Sequence, residues 1–570
     1  MAVWSLSTQI LMKKSSSILT VCLSLVFALG VFLFWRIGYP QALSFQEQFQ
    51  LFLFDGDYLR ERLCVPNGLA RYLAEFLVQF YNNVTLGAVI LAVLLTLVQR
   101  LSWRLMPTSA IAHYPLSFLP PLLLLLALGD ENVLLTSVVS LLIVMGACVM
   151  WRTLVVGRDR GRVLPMAVVL IAVPLLYWMA GPLVVLFALY AMPVSVVYAV
   201  LVVLLSSYVL PYPLSQLMMG VGYYRFTQTL PLLLLSVPVA ILLLAWLARF
   251  LPRQWRFMPW VETAVLAVLA VVALPGAFDA KKYELMDYDY LVRQHKWSAI
   301  VAKAEQQQPD LPLSVCATNM ALALQNQLCE RAFDFYQHGA EGLVMPFERN
   351  FISTQVMSDL YFNLGLVNTS QRFAFESMEA LPDYSKSARS VRRLVETNII
   401  NGQYAVAEKY IAMLEQTVFY RKWARQMRLL LGNETAIASH PAYGWLRKVC
   451  LPDDVLFSED EVDKICGRLF SHNPHNAMAM QYMLMHPLLQ RDLQRFMDYT
   501  QYVGRRADIR VPRACQEAIV MAYASRHQMP PEGLVSPQTV QLFKAFTRAY
   551  SSHAPTDAYR NTVWYYLTIE

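Results

Sequence analysis

Charge is scarce in this chain of 570 residues: Lys, Arg, Asp and Glu make up 15%, against 56% hydrophobic residues. A soluble globular protein carries about 25% charged residues, so a wholly soluble enzyme and a disordered chain are both excluded. Cysteine is sparse as well, with eight residues and no C-x-x-C pair. That excludes a small disulfide scaffold and makes buried apolar thiols the plain reading, with one bridge such as Cys316–Cys329 left open. No Walker loop and no G-x-G-x-x-G is present, so nothing points to nucleotide hydrolysis. His472 and His475, with Cys466 nearby, have a metal-like spacing, but Asn473-Pro474 marks a turn and no fourth ligand is evident.

What charge there is lies unevenly. Up to Gly276 there are 16 Lys and Arg against 9 Asp and Glu, which accounts for the whole net charge of +7; the remaining 31 and 31 cancel. The basic excess therefore belongs to the apolar half, where it reads as membrane topology rather than a nucleic-acid footprint.

Residues 1–17, with Lys13 and Lys14, read as a cytoplasmic N-terminus, and Met12-Lys13-Lys14 resembles an alternative bacterial start. Apolar runs follow at Ile18–Trp35, Phe80–Val98, Tyr114–Leu128, Val133–Trp151, Val163–Ala180, Leu230–Leu247 and Pro259–Pro275. The first lacks a cleavage site and reads as a retained anchor. Gly181–Leu210 is too long for one ordinary span and short for two, with Pro193 at its centre. As one span it gives about eight crossings; as two turning at Pro193, about nine. Nine places Arg100, Arg104, Arg152, Arg158, Arg160, Arg162, Arg249, Arg253 and Arg256 inside and sends the tail outside. The expectation is an all-α chain: a polytopic transmembrane bundle over residues 18–276, then a soluble helical domain over residues 277–570. The first outer connection, residues 36–79, is amphipathic and reads as one or two interfacial helices, with Gly68 supplying a turn before a helix from Leu69 to Phe80.

The tail is charged, Gly-poor and helical in period, as at Tyr404, Ala407, Ile411 and Leu414. Asn401-Gly402-Gln403-Tyr404 followed by Ala407 resembles the turn and second helix of a tetratricopeptide repeat. Ala332 and Ala374 fit the same slot less well, so degenerate hairpin repeats and an irregular bundle both stay open. A repeat stack offers a surface for a protein or peptide partner.

One constellation carries chemistry. Asp55, Asp57, Asp130 and Glu131 come from two connections that the topology puts on one face. Carboxylates gathered there hold a divalent cation, Mg²⁺ or Mn²⁺, through oxygen ligands, while a spare carboxylate takes a proton from an acceptor. Asp55 and Asp57 are the catalytic candidates, Asp130 and Glu131 the metal ligands, and Arg60, Arg62 and Arg225 the phosphate clamps. The competing reading makes Asp55 a turn residue and Asp130 a helix cap. With its D-x-D in a long first outer loop, the arrangement resembles GT-C membrane glycosyltransferases, which implies a lipid-linked sugar donor. Separately, Gln50–Phe54 and the segment from Val65-Pro66-Asn67-Gly68 to Tyr81 resemble an uncharacterised family of polytopic inner-membrane proteins from Bacteroides-type bacteria. That resemblance implies an inner-membrane location with a periplasmic tail, and no activity. Three functions remain: a transferase, a non-enzymatic scaffold recruiting envelope proteins, and a transporter or flippase. The last is disfavoured because the spans hold almost no charge, with Glu262 near an end.

Overall fold

The computed structural model describes residues 19–156, 163–226, 230–248, 250, 257–382, 385–453, 455, 458–504 and 510–569. Lys13, Lys14, Arg158, Arg160, Arg162, Arg249, Arg253 and Arg256 lie outside them. The described residues form helices and no strand; a single antiparallel bridge joins Val133 and Tyr224. The chain divides into two units, Met1–Tyr283 with Gln416–Phe419, and Glu284–Glu415 with Tyr420–Glu570.

Unit 1 begins with α1 (Leu19–Gly38). The first connection then folds into three short helices, α2 (Pro40–Glu47), α3 (Gly56–Leu63) and α4 (Gly68–Val78). Next come α5 (Val84–Leu105) and a 3₁₀ segment (Thr108–Phe118) running into α6 (Leu119–Ala127). After them lie α7 (Leu135–Trp151), α8 (Val163–Ala180), α9 (Val184–Ala191), α10 (Ser195–Val209), α11 (Leu214–Met219), α12 (Leu232–Leu247) and α13 (Met258–Ala277).

Among the described residues, five helical stretches are long and apolar enough to cross a membrane: Leu19–Gly38, Val84–Leu105, Leu135–Leu154, Leu164–Ala191 and Met258–Ala277. His113–Ala127, Ser195–Val209 and Leu232–Leu247 are apolar but shorter. The helix breaks between α9 and α10 at Met192–Val194, beside Pro193. α7 is packed on many sides, against α4, α5, α8 and α9. α13 is the opposite case, with Val271 and Val272 each 73% exposed, a surface suited to hydrocarbon rather than water.

Gly68 differs from its expected role. The left-handed residue at this turn is Asn67, with φ of 69°. Gly68 is instead required by contact, because a Cβ there would lie 2.1 Å from the Arg62 carbonyl oxygen.

α14 (Ala280–Arg293) belongs to unit 1 up to Tyr283 and to unit 2 from Glu284; unit 2 continues with α15 (Trp297–Gln306), α16 (Pro312–Leu324), α17 (Leu328–Arg331), α18 (Phe351–Leu364), α19 (Val367–Glu379), α20 (Ala388–Ile400), α21 (Tyr404–Glu415), α22 (Arg421–Arg428), α23 (Glu434–Ser439) and α24 (Pro441–Val449). It ends with α25 (Val462–His472), α26 (Ala477–Leu489), α27 (Leu493–Gly504), α28 (Arg513–Ala524), α29 (Pro537–Ser551) and α30 (Val563–Thr568). Sequence neighbours pack on one another, α18 on α19, α20 on α21 and α25 on α26.

Seven helix ends in this part of the chain close in the same way. The residues His295, Asn326, Gly365, Gly402, Arg491, His527 and His553 have positive φ, and the next amide donates to the carbonyl five residues back. This hydrogen bond satisfies a carbonyl that the helix end leaves orphaned. Inside the unit, Arg389 joins Asp289 (2.6 Å) to Asp359, and Asp359 also receives Arg393. Burial alone would raise the Asp359 carboxyl, but Arg389 and Arg393 outweigh it and hold the group below the usual range. The thiols follow burial rather than the Cys316–Cys329 pairing: Cys316 donates to the Leu343 carbonyl, and Cys329 donates to the Gln481 carbonyl.

Candidate functional site

The acidic turn Gly129–Asn132 joins α6 to α7 and is pinned from several directions. Asp130 caps its own turn, its Oδ1 accepting from the Asn132 amide at 2.9 Å, while its Oδ2 accepts from the Tyr224 hydroxyl at 2.8 Å. Burial and the Asp130 carboxylate push that hydroxyl up to about 12, so it donates across the ordinary pH range. Glu131 pairs with Lys282 at 2.8 Å, and this bond raises the Lys282 ammonium. The Glu131 carbonyl accepts from Gln46 at 2.6 Å, and the Gly129 carbonyl accepts from Tyr283 at 3.0 Å.

Arg225 is buried against the same turn. Its guanidinium lies 3.3 Å from the Phe49 ring centroid, and one nitrogen donates to Asn132 Oδ1 at 3.2 Å. Burial pulls it down, to about 9, against the opposing pull of Glu131 and Asp130. At neutral pH it remains a cation. The cavity that touches Glu131 measures about 30 Å³, room for a water-sized probe and not for a sugar phosphate.

The first connection has a centre of its own. Asp55 caps α3, accepting from the Tyr58 amide at 3.3 Å. Glu75 receives the Tyr58 hydroxyl (2.5 Å), Arg62 (2.8 Å) and Arg71 (2.9 Å). Burial would raise Glu75, but Arg71 and Arg62 lower it overall. Beside this cluster Asn67 donates to the Val221 carbonyl (2.8 Å) and accepts from Ser140 (2.7 Å). Asp57 and Arg60 are exposed.

Of the sequence candidates, the structure brings Asp130, Glu131 and Arg225 to one place. Asp55 and Arg62 serve their own connection, and Asp57 and Arg60 face solvent. Among the described residues no group of three His, Cys, Asp or Glu could hold a metal ion. Glu75, Tyr224 and Lys282 were not singled out from the sequence; only Arg71 and Glu75 carried a local signal, their spacing of four on one helix.

A second cavity, about 300 Å³, lies among α6, α7, α9, α11 and α12. Its walls are apolar apart from Ser137 and Tyr223.

A family model matches residues 14–570, nearly the whole chain. The protein belongs to the family of unknown function DUF6057. No curated protein and no solved structure matches it.

Proposed function

We propose that this DUF6057 member is a membrane-anchored, non-enzymatic scaffold of the inner membrane whose helical tail recruits envelope proteins on the outer side. The observation that carries the reading is the employment of the carboxylates: Asp55 caps a helix, Asp130 is held by Tyr224 and Glu131 by Lys282. A catalytic carboxylate needs a free lone pair facing a substrate-sized space, and the space at Glu131 is about 30 Å³. The tail supports the reading through its repeated hairpin ends, which resemble a tetratricopeptide-like stack. The topology is supported within unit 1. Arg104 and Arg152 lie together at one end of the bundle, while the acidic turn and Lys282 lie at the other. At that second end Tyr39, Phe278 and Tyr283 cluster, as an interfacial aromatic belt would.

The second reading is a GT-C-like transferase, favoured by the apolar cavity of about 300 Å³ that an acyl or isoprenoid chain would fill. There Asp55 and Asp57 would act as base, Asp130 and Glu131 would hold Mg²⁺ or Mn²⁺, and Arg60, Arg62 and Arg225 would face phosphate. One experiment separates the two. Full-length protein in proteoliposomes is given lipid-diphosphate sugar donors with Mg²⁺ or Mn²⁺, and release of lipid diphosphate is measured. The scaffold reading expects none above protein-free vesicles. Release that is lost in Asp55→Asn/Asp57→Asn, at equal membrane abundance, would overturn it.

A further inference from the structure

Across the five long apolar helices, Glu262 is the single acidic residue. It lies one turn into α13, and its Oε1 is joined to Nδ1 of His113, at the start of the apolar stretch His113–Ala127. Both side chains are buried, 5% and 1% exposed. The second carboxylate oxygen, Oε2, is buried and has no hydrogen-bond partner among the described residues. Ion pairs in soluble surfaces satisfy their free lone pairs with water; this one leaves an acceptor open inside apolar packing.

The surroundings sharpen the point. α13 packs against the 3₁₀ segment and α6. α6 carries no ionisable residue, and the described part of the 3₁₀ segment offers only His113 and Tyr114. The Tyr114 hydroxyl is engaged at 2.6 Å with Ser24, within a buried track that continues through Gln99 to Ser117. Leu266, one turn along α13, packs on Tyr114 and Phe118 together with parts of α1 and α5, helices whose ionisable residues are Cys22, Arg36, Arg100 and Arg104.

A single charge in apolar surroundings is costly, whereas a neutral pair is tolerated. His113 and Glu262 are neutral together when they hold one proton between them, as imidazolium and carboxylate or as imidazole and carboxylic acid. Losing that proton gives the pair a net negative charge; gaining a second places it on Glu262, whose open oxygen can take it, and gives the pair a net positive charge. Each step changes the net charge between α13 and the 3₁₀ segment.

We propose that His113 and Glu262 form a proton-binding site inside the apolar half of the chain, whose occupancy governs how α13 packs on Thr108–Phe118. This goes beyond the scaffold reading, because an anchor needs no ionisable pair among its helices.

The test uses a hydrophobic carbodiimide, which modifies a carboxyl group only in its protonated form. Full-length protein in lipid vesicles is treated across about pH 5–8, where imidazole exchanges protons, and the peptide containing Glu262 is quantified by mass spectrometry. Labelling of wild-type Glu262 should fall on the order of tenfold per pH unit above its midpoint, as titration of one group requires. In His113→Gln the carboxyl group has lost its cation, so labelling should rise and persist to higher pH. A wild-type Glu262 that stays unlabelled at every pH overturns the proposal, whatever the variant does, because the pair is then a fixed imidazolium–carboxylate. Labelling that does not vary with pH overturns it too.

Discussion

The two units close their turns by different means. In unit 1 the connections are pinned by side chains from far along the chain: Asn67 reaches Val221, Tyr224 reaches Asp130, Lys282 reaches Glu131, and Tyr283 reaches Gly129. In unit 2 seven helix ends close through their own backbone, with a left-handed residue and a bond five residues back. On the proposed membrane-anchored reading, the contrast follows from the solvent around each unit. Among apolar helices in a bilayer, burial does not distinguish one neighbour from another, since lipid tails are as apolar as leucine. Polar pins at the helix ends then select the arrangement. Amphipathic tail helices are placed by their buried faces, and the turn need only stop one helix and start the next.

Several substitutions would break or sharpen that contrast. The largest effect is expected inside unit 2, where Arg389→Ala removes the cation shared by buried Asp289 and Asp359 and leaves Asp359 to Arg393 alone. A loss of about 3–5 kcal/mol is expected, read as a lower unfolding midpoint of the full chain in detergent. Next, Asn67→Ala removes both bonds of the pin between Val221 and Ser140. It should cost about 2–3 kcal/mol, and more than any single turn replacement in unit 2.

A third test uses pH. Burial, partly offset by the Val563 amide and Arg513, raises the Glu517 carboxyl to about 7, against an ordinary 4.5. A raised carboxyl favours the folded state while protonated, so this contribution is present below about pH 4.5 and fades as pH rises through about 7. Glu517→Gln should therefore stabilise at pH 8, on the order of 2 kcal/mol, and do little near pH 4. Asp359, held low, behaves oppositely: its contribution is present above its ordinary 3.8 and is lost as pH falls below it.

The smallest effects lie at the hairpin ends. Gly402→Ala should cost about 1 kcal/mol, since its φ is 73° and open space surrounds it. Gly365→Ala should cost more, because its Cβ would meet Val449 at 3.1 Å. Asn326→Gly should be neutral or gain a few tenths of a kcal/mol.

The same contrast explains what could be read from the sequence. The Gly402 turn was legible because its cause is local, a glycine between two helical periods. The break beside Pro193 was legible for the same reason. The acidic turn was visible as Asp130-Glu131, but its partners Tyr224 and Lys282 lie 94 and 151 residues away, and no spacing rule links them. Gly68 was misread as the turn residue because the neighbouring Asn67 also tolerates a left-handed conformation, and only the packing on Arg62 distinguishes them. Glu262 was set aside for its place near a span end; that His113 meets it across 149 residues is a tertiary fact.

The most direct test of the structural role assigned to the acidic turn is a double-mutant cycle on Asp130 and Tyr224, read as unfolding of the full chain in detergent. If the carboxylate is a fastener, Asp130→Asn and Tyr224→Phe each lower stability, and the pair together lose less than the sum, with a coupling of about 0.5–3 kcal/mol. Catalytic groups commonly sit at a cost to stability, so neutralising one tends to leave the fold unchanged or firmer. An Asp130→Asn variant as stable as the wild type or more so, with no coupling to Tyr224, would contradict the account and return the turn to the transferase reading.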